Sequence, residues 1–143
     1  MSNYPRVDAL FASATRATAI ANSAGTAIDC ARAKRAIVTL DVTAMGGVAG
    51  DTLDVYVDVS PDGTMWINAA HFTQIAGNAA ASRRFVVLDP SNPGTSEVVS
   101  TSDAAGGAVR PAACGMQMRG RYTLVDAGAH GQSATFSLGV FLQ

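Results

Sequence analysis

Between residues 53 and 59 apolar and polar side chains alternate strictly. Leu53, Val55, Val57 and Val59 take one face, and Asp54, Tyr56 and Asp58 the other. Period-two alternation marks a strand with one face in a core and one toward water. Ser60-Pro61-Asp62-Gly63-Thr64 follows directly. Proline presets φ at the second position of a turn, and glycine accepts the left-handed position. The pattern predicts an antiparallel hairpin whose return strand opens at Trp66. The same alternation runs through 36–45, where Val38, Leu40 and Val42 oppose Thr39, Asp41 and Thr43. It returns in 83–89, in 116–125 and in 133–142. In 116–125 Met116, Met118, Tyr122 and Leu124 share a face, opposite Gln117, Arg119, Arg121 and Thr123. Shorter runs at 26–31 and 72–76 add further strands. Many short strands at regular spacing predict an all-β fold, an antiparallel β-sandwich of jelly-roll or Ig-like type. Val38, Leu40, Val42, Leu53, Val55, Val57, Val59, Phe136, Leu138 and Val140 are its predicted core. Trp66 is the predicted core anchor where the two sheets meet.

Two segments fall outside this pattern. Residues 1–25 are rich in Ser, Thr and Ala, and no large apolar residue recurs at helical spacing after Leu10 and Phe11. They predict an extended N-terminal arm, or an irregular first strand, ahead of a sandwich domain over 26–143. Residues 90–113 read as a long loop with one edge strand near Glu97-Val98-Val99. Neither segment has enough apolar area to offset an ordering entropy of about 1–2 kcal/mol per residue. Both are therefore expected to order only against a partner, with Leu10, Phe11 and Arg16 as the partner-binding residues of the arm.

Composition sharpens the picture. Hydrophobic residues make up 48% of the 143, but 27 of them are Ala, so the core is modest. Charged residues are only 15%, against about 25% in a typical soluble domain, which suggests a surface partly covered by partners. The net charge of −1 argues against a nucleic-acid binder, which needs a basic face for phosphates,. Arg32, Lys34 and Arg35, Arg83 and Arg84, and Arg119 and Arg121 are expected on solvated strand ends and outer faces. No apolar run approaches the ~20 residues of a membrane-spanning helix. The start of the chain lacks the basic and apolar regions of a signal peptide, so use without secretion is expected. In that setting Cys30 and Cys114 read as reduced core thiols rather than a disulfide.

Candidate chemistry is sparse. Asp58 to Gly63 looks like the opening of a calcium loop, but Ala69 stands where the bidentate Glu belongs,. Asp58 and Asp62 are expected to serve a plain turn. His71 and His130 have no second ligand at metal spacing. No nucleophile elbow and no glycine-rich phosphate loop before a helix is present in the pattern. No enzyme, metal site or cofactor is expected. Trp66, Tyr56 and Phe72 are one candidate platform for stacking a sugar ring.

The order of these motifs resembles a known group. An alternating strand from Leu53 to Val59 leads into Ser-Pro-Asp-Gly-Thr, Trp66 and Phe72-Thr73-Gln74-Ile75. Gly-Arg-Tyr-Thr-Leu at 120–124 and Ala-Thr-Phe-Ser-Leu-Gly-Val at 134–140 follow. This arrangement resembles the small β-sandwich virion structural proteins of tailed bacteriophages, over roughly 36–76 and 116–142. The resemblance implies a protein of the virion, assembled in the host cytoplasm and acting by assembly rather than catalysis. The expected role is a capsid decoration (cement) protein, a homo-oligomer bound to the major capsid protein or other virion subunits. Tail or head–tail connector components are the neighbouring role. A carbohydrate-binding sandwich is the rival from another class. No nucleic acid or membrane is an expected partner.

Overall fold

Alternation places every second side chain of β4 (Ala36–Met45), β5 (Thr52–Ser60), β9 (Gln117–Val125) and β10 (Ala134–Leu142) on one face. These four strands form the middle of two sheets. In the computed structural model, which describes residues 5–91, 97, 99, 102–110 and 116–143, all named strand pairs are antiparallel. With β1 (Arg6–Arg16) and β8 (Ser82–Leu88) at its edges, the first sheet runs β1-β10-β4-β8. With β2 (Ile20–Ala24) and β6 (Ile67–His71), the second runs β2-β9-β5-β6. Two short strands, β3 (Ile28–Asp29) and β7 (Ile75–Ala76), pair with β9 and β5. The fold is all-β, two antiparallel sheets packed face to face. Among the described residues, no helix is long and apolar enough to cross a membrane.

The core lies between the sheets. Val38, Leu40 and Val42 from β4 meet Leu53, Val55, Val57 and Val59 from β5, with Phe136, Leu138 and Val140 from β10. All are at most 4% exposed, as their alternation predicts. Each such side chain contributes about 1.5–3 kcal/mol by leaving water. The hairpin turn also forms as predicted. Gly63 takes φ 78°, its N–H donates to Ser60 Oγ, and Asp62 Oδ1 accepts from the N–H groups of Thr64 and Met65.

Residues 6–24, expected as part of an arm, pair with the sheets instead. Residues 6–16 form β1, an edge strand hydrogen-bonded along β10, and residues 20–24 form β2 beside β9. Leu10 is 3% exposed and belongs to the core. Phe11 packs edge-on against Tyr122 and Phe136, with ring centroids 5.4 and 5.9 Å apart. Arg16 folds back. Its guanidinium donates to the carbonyls of Ala12, Ala14 and Phe136 and lies 4.1 Å from the Phe136 ring centroid. Within the chain these three residues pack against their own sandwich. The ladder of β1 with β10 satisfies backbone groups whatever the side chains are, which is why an apolar-poor segment orders here.

Part of the segment read as a loop at 90–113 also orders, against its own sheet. Residues 102–110 lie along β6: Ala70 bridges Val109, His71 N–H donates to Ala108 O, and Arg110 N–H donates to Ala69 O. The edge strand expected near 97–99 includes Val98, which is outside the described residues. Cys114 is outside them too, while Cys30 is fully buried.

Candidate functional site: a polar cleft on the second sheet

The outer face of β5 was expected in water, but it is covered. Asp54, Tyr56 and Asp58 are 8%, 9% and 2% exposed. Strand register explains what gathers there. Asp58 lies opposite Arg119 on β9 and Asn68 on β6, and Tyr56 lies opposite Arg121. Two arginines at i and i+2 on one strand therefore flank one carboxylate on the next.

Arg121 grips Asp58 with two hydrogen bonds, Nε to Oδ2 at 2.9 Å and Nη2 to Oδ1 at 3.1 Å. It also donates to Asn22 Oδ1 at 2.7 Å and to the Asp103 carboxylate in the 102–110 segment. Burial disfavours the Arg121 charge, yet the hydrogen bonds to Asp58 and Asp103 outweigh it and hold its pKa above the ordinary value. Arg119 reaches Asp58 Oδ2 at 3.4 Å. Asn68 donates to Asp58 Oδ1 at 3.1 Å and accepts from Ala104 N–H at 2.8 Å. Two arginines and two aspartates cancel in charge. A buried ion pair with a full hydrogen-bond set gives geometric specificity more than stability. Arg119 and Arg121, expected on a solvated outer face, are thus held in the covered polar layer.

Beside this network lies a cleft of about 230 Å³, lined by polar groups and by Trp66. Trp66 is not the core anchor. It is half-buried at the cleft, with the Arg119 guanidinium 4.1 Å from its ring centroid. The indole sits in the β5–β6 hairpin just before β6 begins, so its side chain reaches the outer layer instead of the space between the sheets. The three-aromatic platform is not assembled. Phe72 is 3% exposed in the core, and Tyr56 is covered by His71, stacked at 4.2 Å, and by Arg121. Burial, with Asp54 next, pushes the Tyr56 pKa up. Trp66 alone faces the cleft.

His71 ties the layer together. Its Nε2 lies 2.8 Å from Asp54 Oδ1 and its Nδ1 2.9 Å from Ala104 O, so both ring nitrogens face acceptors. Gln74 Nε2 donates to Asp54 Oδ2 at 2.8 Å.

A second polar group forms at the other end of the sandwich. Single ligand atoms of Asp51, Asp126 and His130 lie within 4.8 Å of one another. Linear spacing concealed this grouping, because Asp51 belongs to a different loop from the other two. The carboxylates already hold backbone: Asp51 accepts from Val48 and Ala127 N–H, and Asp126 from His130 and Gly131 N–H. The N–H of Val48 foremost keeps the Asp51 pKa below the usual carboxylate value, and that of His130 does so for Asp126. The three groups bind the loops at 46–51 and 126–132 together. Asp58 and Asp62 do not converge as a calcium loop requires, since Asp58 is held by arginine and Asp62 by its own turn.

Compared with known proteins, the chain matches no family model, no curated protein and no solved structure. Alternation put Asp58 on one face of β5 and Arg119 and Arg121 together on one face of β9, but the pairing and register that bring them opposite each other come from the structure,. Nothing in the sequence pointed to Asp103 or Asn22 as their further partners.

Proposed function

We propose that this chain is a non-enzymatic structural protein of a tailed-phage particle, a capsid decoration protein that binds capsid subunits as a homo-oligomer. The observation that carries the reading is the strand order. Leaving aside the two-residue strands β3 and β7, eight strands remain, and their sheets run first-eighth-third-sixth and second-seventh-fourth-fifth. That order supports a jelly roll over an Ig-like sandwich, and jelly rolls are the architecture of many viral capsid and lectin domains. The charge-poor composition fits a surface that works by contact. Mass spectrometry of purified particles tests the reading through copy number. Hundreds of copies support a place on the capsid or in the tail tube, and a dozen or fewer a connector or tip. Absence from particles refutes the virion assignment.

A carbohydrate-binding module is the second reading, favoured by the half-exposed Trp66 in its polar cleft. Trp66 is the single tryptophan, so its fluorescence reports directly on that cleft. A saturable change on adding mono- and oligosaccharides, lost in Trp66→Phe, would favour the sugar module. A flat titration would remove it.

A further inference from the structure

Residues 102–105 border the polar cleft of the second sheet, and Asp103 forms one of its walls. Three ties hold this segment down. Asp103 accepts from Arg121, and the Ala104 N–H donates to Asn68 Oδ1 at 2.8 Å. The third tie is the Ala104 carbonyl, 2.9 Å from His71 Nδ1. At the other end of the ring, Nε2 lies 2.8 Å from Asp54 Oδ1, while Asp54 Oδ2 accepts from Gln74 Nε2. A neutral imidazole has one N–H and one bare lone pair. Both nitrogens of His71 meet oxygen acceptors, and a backbone carbonyl has no proton to give. Only the imidazolium, a donor at both nitrogens, satisfies the two together. The ring is also enclosed. Its side chain is 13% exposed and stacks on Tyr56, and a Cβ added to Gly106 would stand 4.0 Å from its Cε1.

We infer that residues 102–105 are a pH-sensitive strap on the cleft, latched by the protonated His71 ring and released when that ring is neutral. The charges around the ring favour the latched form. Asp54 touches the ring, and Asp103 adjoins its carbonyl partner. Arg121, 4.1 Å from the Tyr56 ring centroid, opposes the cation, but Arg121 is itself held by Asp58 and Asp103. Arg110, beyond the strap, donates to Asn68 O and Ser102 O. On losing a proton, His71 keeps its N–H on the carboxylate, the stronger acceptor. The bare Nδ1 then faces the Ala104 carbonyl lone pair to lone pair, and the strap lifts. Residues 107–110 stay in place, because Gly107 and Ala108 pair with His71 through backbone groups and Arg110 pairs with Ala69 in the same way. Gly107, at φ 82°, is the joint between the two parts. The closed strap holds one more proton than the open one, so closure is favoured at low pH and lost as pH rises.

Latching requires neither the virion nor the sugar reading, and it is tested on purified full-length protein without ligand. Amide exchange is followed at about pH 5 and about pH 8, the two sides of the range in which histidines titrate. After correction for the intrinsic base dependence of exchange, the Ala104 amide should open about tenfold or more readily at the higher pH, the worth of one charge-assisted hydrogen bond. Amides of β4 and β10 should not respond. Acrylamide quenching of Trp66, the single tryptophan, should rise over the same interval as the cleft loses its Asp103 wall. Nitrogen NMR should find both His71 ring nitrogens protonated at the lower pH. His71→Gln should abolish the pH response, and His130→Gln should retain it. Equal protection of Ala104 at both pH values would overturn the inference, as would a bare ring nitrogen on His71 at the lower pH. A response that survives His71→Gln but disappears in His130→Gln would overturn it in favour of the Asp51, Asp126 and His130 group. The wild-type measurements decide the matter even where His71→Gln does not fold.

Discussion

If residues 6–24 belong to the sandwich, Phe11 and Gly120 must be energetically coupled. The Cδ2–Cε2 edge of the Phe11 ring lies against the one position of β9 that has no side chain. A Cβ placed on Gly120 would stand 2.7 Å from Phe11 Cε2, 2.8 Å from Phe11 Cδ2 and 2.8 Å from Leu138 Cδ2. These are overlaps with a packed ring and a buried leucine, so Gly120→Ala should cost about 1–3 kcal/mol by overpacking. Phe11→Ala removes a ring that meets Tyr122 and Phe136 edge-on. A fully buried phenylalanine costs about 3–5 kcal/mol on truncation, and this partly buried one should cost roughly 2–4. In the double variant the new methyl occupies space the ring has left, and only the Leu138 contact remains. The two costs should therefore fall short of adding by about 1–2 kcal/mol. Urea unfolding of the four proteins, followed by Trp66 fluorescence with a common slope, measures the cycle. Additivity within about 0.5 kcal/mol would mean that the ring does not rest on β9. A Phe11→Ala cost below that same limit would return the segment to an arm outside the core.

Other expectations follow from the polar layer and the loops. Asp58→Ala leaves Arg121 with only the exposed Asp103 as a counter-charge, and should cost about 3–5 kcal/mol in urea unfolding; a loss under about 1 kcal/mol would mean the network is solvated. Trp66→Ala should cost only about 1–2 kcal/mol, far less than a core tryptophan, because it removes a half-buried ring and one cation–π contact. His71→Ala removes the side-chain tie between β5 and Ala104, so amide exchange should accelerate across 102–110 and stay unchanged in β4 and β10. Acid should weaken the fold through Asp51 and Asp126, whose pKa values are depressed by backbone N–H donors, Val48 and His130 foremost. Their contribution is fully present above the unfolded carboxylate value of about 4, and is lost as pH falls through the lower folded values. The urea midpoint should drop below about pH 4, and Asp51→Asn should flatten that drop.

Alternation is a local property, because successive Cβ atoms point to opposite faces of any strand. That is why β4, β5, β9 and β10 were legible from the chain alone, along with the valines and leucines that fill the space between the sheets. The turn at Pro61-Asp62-Gly63 was legible for the same reason, since proline and glycine act on their own φ. What lies on the other side of each strand is not local. Asp54, Tyr56 and Asp58 carry the signature of a wet face, yet residues about 50 positions downstream cover them, and only the tertiary structure puts Ala104 and Asp103 there. The same holds for residues 6–24. Their side chains promise little burial, but the edges of β10 and β9 offer backbone partners that side-chain type does not encode, and Leu10 and Phe11 then find the core. Trp66 shows the limit most plainly: its size argued for the core, while the hairpin geometry turned it outward to Arg119. Face assignment within a strand is written in the sequence; which element covers that face is decided by packing between segments far apart in the chain.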